Sequence, residues 1–135
     1  MSLPRPILLC SLGRSWPVVP EAFRLLDPGP DGYGAVHVIT RSDEVIDSGL
    51  REMLAYFHDR FPEVTVTCTC VEDFRELRHE RERAAFEEVL YRWMLDVAPN
   101  PAQRHVCLAG GYKTMSAAMQ QAAYMLGSVE LFAFS

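Results

Sequence analysis

The chain has 135 residues, of which 49% are hydrophobic and 23% charged. That composition fits one globular domain with a sizeable core and excludes a disordered chain. The net charge of −5 excludes non-specific duplex DNA binding, because phosphate neutralisation needs a surplus of Lys and Arg on one face.

Strand and helix patterns alternate along the chain. Ile7 to Leu12, "ILLCSL", is a short apolar run that reads as a buried strand. The N-terminal stretch around it lacks a small-residue cleavage site, so it reads as a strand and not as a signal peptide. Trp16 to Leu26 follows as a helix, with Pro17 and Pro20 confined to its first turn. "DPGPDGYG" at 27–34 is turn chemistry throughout. Ala35 to Thr40 is a second strand. "SDEVIDSGLREMLAYFHDRF" reads as a helix with Ser42 or Asp43 as N-cap and apolar residues stepping by three and four.

Val64 to Val71, "VTVTCTCV", reads as a third strand. A charged helical stretch occupies about 73–97. Its run "RELRHERER" is expected to be a solvated face laced with i, i+4 ion pairs. "APNPAQ" breaks that helix, and His105 to Ala109 forms a fourth strand. "GGYK" is a turn, Thr114 to Leu126 a helix ended by Gly127, and Val129 to Phe134 a fifth strand.

No segment approaches the ~18 uninterrupted apolar residues of a membrane span. The four cysteines, Cys10, Cys68, Cys70 and Cys107, each sit in an apolar or β-branched run. They are expected to be reduced core residues of a cytoplasmic protein, and their spacing gives no metal site. No cofactor is expected.

Residues 1–135 therefore read as a single α/β domain, a Rossmann-like, mostly parallel sheet of about five strands with helices on both faces. In such sheets ligands bind beyond the carboxyl ends of the strands, where the strand order reverses. In the order 3-2-1-4-5 the loops after the first and fourth strands, "SLGRSW" and "GGYKTMS", meet at one edge. Gly110 and Gly111 allow close backbone approach, Lys113 supplies a cation, and Thr114 and Ser116 supply hydroxyls. Gly13, Arg14, Ser11 and Ser15 repeat the design on the other loop. Each loop opens a helix, whose first N–H groups favour an anion. Read from the residues alone, this is either a pair of strand-to-helix turns or a phosphate cradle.

Together "LLCSLGRSWPVVPEAF" and "LAGGYKTMSAAMQQAAYMLG" resemble the two signature regions of CRISPR-associated Rossmann-fold (CARF) proteins, especially the branch that includes stand-alone ring nucleases. There the first motif reads roughly L-G-T-S-P-x-V-V-x-E-A and the second G-G-R-K-T-M-S. Ser15 falls on the hydroxyl of the first motif, and Glu21 and Ala22 on its Glu-Ala. Lys113, Thr114, Met115 and Ser116 fall on the second. Arg14 stands where Thr is usual, Trp16 where Pro is usual, and Tyr112 where Arg is usual. A guanidinium is thus moved between the motifs, and two aromatic rings are placed where adenines could stack.

The resemblance implies a homodimer that binds a cyclic oligoadenylate, most directly cyclic tetra-adenylate, on its two-fold axis. It implies metal-independent cleavage carried by Lys113, Ser15 and Ser11, which would switch off type III CRISPR signalling. Ligand contacts would come from Gly13, Arg14 and Trp16, from Arg41 and Ser42 after the second strand, and from Gly110, Gly111, Tyr112, Thr114, Met115 and Ser116. The alternatives are a non-catalytic sensor domain or messenger sink, and a general nucleotide- or sugar-phosphate-binding domain. The end of the chain at "LFAFS", with no effector domain after it, accords with the nuclease.

Overall fold

The computed structural model of the protein describes residues 5–13, 15–26, 32–41, 44–71, 80–109, 113–128 and 130–134. Strands β1 (Ile7–Leu12), β2 (Ala35–Arg41), β3 (Thr65–Val71), β4 (Arg104–Ala109) and β5 (Glu130–Phe134) form one sheet in the order β3-β2-β1-β4-β5. Every pairing is parallel. Helices α1 (Val18–Leu25), α2 (Glu44–Arg60), α3 (Glu80–Val97) and α4 (Lys113–Leu126) connect them. The strand order reverses between β1 and β4.

Successive side chains of β1 alternate between two cores. Leu8, Cys10 and Leu12 pack with Val19, Ala22, Ile46, Leu50, Met53 and Phe57, so α1 and α2 cover one face. Leu9 packs with Phe86, Leu90, Met94, Met115, Met119 and Ala122, so α3 and α4 cover the other. The apolar positions of α2 and α3 step by three and four, which is why each helix buries a single stripe. Phe23 adds a ring cluster under α1, meeting Phe57 edge-on at 5.2 Å and Phe61 at 4.9 Å.

Several boundaries differ from the sequence reading, each for a physical reason. Helix α1 begins at Val18, because Trp16 and Pro17 form a turn ahead of it. Tyr33, placed by its sequence in a surface turn, is 1% exposed and packs in the α1/α2 core. Its hydroxyl lies 3.1 Å from Nδ1 of His105, which accounts for a polar ring pair inside the core. Cys10 and Cys107 are buried as expected, but Cys70 is exposed because β3 is the edge strand. The break after α3 is a 3₁₀ turn at Pro101–Gln103, capped by Asn100, whose Oδ1 accepts from the Ala102 N–H at 3.0 Å. The expected start of the third helix at 73 and the N-cap at Ser42 or Asp43 lie outside the described residues. The run "RELRHERER" lies mostly outside the described residues; further along α3, Glu88 and Arg92 form an i, i+4 ion pair at 2.6 Å on an exposed face.

The amino edge of the sheet is closed by a buried cation. Arg104 is 1% exposed. Its Nε donates to the Ala98 carbonyl at 2.8 Å, Nη1 to Leu126 at 2.6 Å and Gly127 at 3.2 Å, and Nη2 to Pro99 at 3.3 Å. One guanidinium thus ties the chain leaving α3 to the chain leaving α4. Gly127, at φ +88°, takes the left-handed turn that ends α4.

Candidate functional site

The opposite, carboxyl edge is where β1 and β4 end side by side. Ser11 lies opposite Leu108, and Leu12 opposite Ala109, four residues before α4 begins at Lys113. Ser11 shares the parity of Leu9 and so faces the α3/α4 side. It is fully buried, and its hydroxyl has no hydrogen-bond partner among the described residues. Such a group ordinarily finds a partner, since an unmet buried hydroxyl costs ~1–3 kcal/mol. Here it lies beneath the end of the sheet where a helix N-terminus concentrates positive potential.

The neighbouring positions are held firmly. Thr40, at the end of β2, is fully buried and donates its hydroxyl to the Leu12 carbonyl at 2.6 Å. That bond fixes the exit of β1 into Gly13, itself buried. Arg41 ends β2 on the same edge, half-buried. Ser116, in the first turn of α4, is half-buried, and Ser15 is exposed at the approach to α1. The structure therefore brings Ser11, Gly13, Ser15, Arg41 and Ser116 to one edge. Expectations for Arg14, Ser42, Gly110, Gly111 and Tyr112, and for the side chains of Lys113 and Thr114, lie outside the described residues.

Three expectations change. Met115 is 3% exposed and packs in the α3/α4 core, where it anchors α4. Trp16 turns onto α2, where its indole N–H donates to Glu52 Oε2 at 2.9 Å. A Cβ on Gly49 would meet Trp16 Cδ1 at 3.0 Å, so the glycine makes room for that ring. Helix α1 also offers little to an anion. The Val18, Val19 and Glu21 amides donate to the carbonyls of Ser15, Trp16 and Pro17, and Pro20 has no N–H. One helix N-terminus, that of α4, remains of the two expected.

Sequence reading did not anticipate a groove of about 530 Å³ between α1 and α2, lined by Trp16, Pro17, Pro20, Glu21, Arg24 and Tyr56. It is open and lies beside the contacts of Trp16 with α2.

Titratable groups add no alternative chemistry at this edge. The Cys107 hydrogen bond and burial hold the Cys10 thiol well above its ordinary value, and burial with Cys70 nearby pushes Cys68 to about 11. Among the described residues no cluster of His, Cys, Asp and Glu has the form of a metal site. No described helix is long and apolar enough to cross a membrane. His37 lies in mid-strand on β2 and bonds Thr67 Oγ1 through Nδ1 at 2.6 Å.

Burial lowers the His37 pKa from the ordinary 6.5. A lowered imidazole pKa stabilises the fold fully above the unfolded value, and that contribution is lost as pH falls through the folded value. Urea melts should therefore show stability declining from about pH 6.5 towards 5, with a shallower decline in His37→Gln. An unchanged slope in the variant would assign the decline to other groups.

No family model matches the chain, and no curated protein is significantly similar to it.

Proposed function

We propose that the carboxyl edge between β1 and β4 binds a cyclic oligoadenylate, most directly cyclic tetra-adenylate, on the two-fold axis of a homodimer, and that the protein cleaves it as a ring nuclease. The observation that carries this reading is the buried, unpartnered Ser11 hydroxyl at the point where the strand order reverses, beside the strand whose loop opens α4. A phosphodiester oxygen or ribose hydroxyl is the kind of group that would satisfy it. The motif resemblance supplies the identity of the ligand.

In the proposed reaction a ribose 2′-oxygen forms a bond to the adjacent phosphorus while the bond from phosphorus to the 5′-oxygen breaks. The proton of the 2′-hydroxyl ends on the departing 5′-oxygen, and the product carries a 2′,3′-cyclic phosphate. The protein's part is to hold the in-line geometry and stabilise charge on the phosphoryl oxygens. Lys113 serves the charge. Ser11 and Ser15 orient the ribose and phosphate. Arg14 and Arg41 add cations at the rim.

The test is incubation with end-labelled products resolved from cyclic tetra-adenylate in chelator. Linear fragments ending in cyclic phosphate are the expected result. Tight binding of an intact ring would instead support a sensor or messenger sink. That second reading is favoured by one observation: α1 keeps its N-terminal amides for itself, which leaves half of the anticipated anion cradle. Absence of binding to any cyclic oligoadenylate would overturn both.

A further inference from the structure

The β1–β2 ladder ends early at the carboxyl edge. Its register runs only to Ser11 and Ile39, although β1 continues to Leu12 beside β4 and β2 to Arg41 beside β3. The next rung is supplied by a side chain. Thr40 Oγ1 donates to the Leu12 carbonyl at 2.6 Å, and both residues are buried. The same face of β2 carries Val36 and Val38. Valine would match threonine there in shape and strand propensity. Only the hydroxyl meets the carbonyl, so the bond, and not the packing, accounts for threonine at this position.

Four residues after Leu12 the chain is caught again. Trp16 lies on one stripe of α2, formed by Gly49, Glu52 and Tyr56 at i, i+3 and i+7. Its indole N–H donates to Glu52 Oε2 at 2.9 Å, and its ring lies 6.5 Å from that of Tyr56 between centroids. Gly49 makes the floor. It sits inside α2, where glycine is a poor helix former, and no positive φ calls for it there. A Cβ at this position would meet Trp16 Cδ1 at 3.0 Å and Cβ at 3.4 Å, so the ring accounts for the glycine.

We propose that Thr40 and Trp16 are positioning residues of the carboxyl-edge site: they fix the connection of residues 13–15 from its two ends, one against β2 and the other against α2. Thr40 is fully buried and offers no surface to a ligand. The indole N–H of Trp16 is already bonded to α2. Both therefore act through the chain between them. A short connection joined to two fixed points has little freedom left, so Ser15 is held in place before a ligand arrives. The clamp is read from these contacts alone, and its effect on a ligand rests on the proposed function.

The test is 15N relaxation of the free protein, with thermal melts, cyclic tetra-adenylate affinity and single-turnover cleavage measured in parallel. In the wild type the Gly13 and Ser15 amides should show order parameters of about 0.85, falling towards about 0.6 in Thr40→Val and in Trp16→Phe. Amides within β1 and β4 should not change. Both variants should slow cleavage at saturating ring by about 10- to 100-fold and raise the dissociation constant less, because misplacement acts on the in-line geometry. In a protein that binds the ring without cutting it, the loss should appear in affinity, about tenfold. Thr40→Ser keeps the hydroxyl, so it should restore the order parameters and bring the rate to within about twofold of wild type. Should Thr40→Val lower the melting temperature, Trp16→Phe, whose ring still covers Gly49, carries the test.

Mobile Gly13 and Ser15 amides in the wild type, or amides that stay rigid in both variants, overturn the inference. So does a loosened connection in a variant that binds and cleaves the ring as the wild type does. If the amides loosen in a protein that binds no cyclic oligoadenylate, the clamp stands and the proposed ligand is removed.

Discussion

Replacing Arg104 by methionine is expected to lower folding stability by about 3–5 kcal/mol, the cost of leaving a buried polar cluster without its charged partner. Four backbone carbonyls lose their donor, at Ala98, Pro99, Leu126 and Gly127. These groups close two helix C-terminal ends, where the helix dipole concentrates negative potential. Among the described residues the guanidinium has no carboxylate partner; the carbonyls themselves offset its desolvation. Burial lowers its pKa from the ordinary guanidinium value, because desolvation disfavours the charged form.

Methionine keeps most of the aliphatic volume, so the loss is electrostatic and not a cavity effect. Arg104→Lys should recover part of it, since an ammonium keeps the charge but cannot span the carbonyls as a planar fork. Urea unfolding read by circular dichroism measures both variants. A loss under about 1 kcal/mol in the methionine variant would show that the carbonyls find water instead.

Arg104 also shows where sequence reading stops. Its position was legible only as the residue before a strand, because its partners come from the ends of two helices distant in sequence. Tyr33 was missed for the same reason. Its neighbours in "DPGPDGYG" all argue for a turn, and only the packing of α1 against the sheet creates its pocket. By contrast, the strand and helix positions followed from local period. The β1 and β2 runs are apolar without alternation because both faces of a central parallel strand are covered. The side-by-side ends of β1 and β4 followed from topology once those strands were placed.

The strand ends that frame the candidate site were legible in the sequence, and the burial of its side chains was not. The sequence places hydroxyls on both loops but does not tell which are buried. Ser11 and Ser15 look alike there. The structure separates a fully buried Ser11 from an exposed Ser15. Trp16 reads as a stacking platform, and the sequence does not show its partners on α2. Glu52 and Gly49 stand more than thirty residues further along, and no local pattern joins them to it.

The Ser11 hydroxyl gives the second large effect, because its two contributions have opposite signs. In the free protein the group is buried and unmet, so Ser11→Ala should leave stability unchanged or raise it by about 0.5–2 kcal/mol. With ligand bound, the same substitution removes a hydrogen bond to an anionic or hydroxyl group, and affinity should fall about tenfold or more. A purely structural serine would behave otherwise, since its loss would lower stability and leave ligand affinity alone. Lys113→Ala supplies the comparison. On the proposed mechanism it removes a charge that serves the transition state, so cleavage should fall about 10²–10³-fold while binding falls less. Thermal melts of the free protein, equilibrium binding of cyclic tetra-adenylate, and single-turnover cleavage separate the three quantities. If Ser11→Ala destabilises the free protein and binds the ring as tightly as wild type, the unpartnered hydroxyl belongs to the fold and the proposed ligand does not reach it.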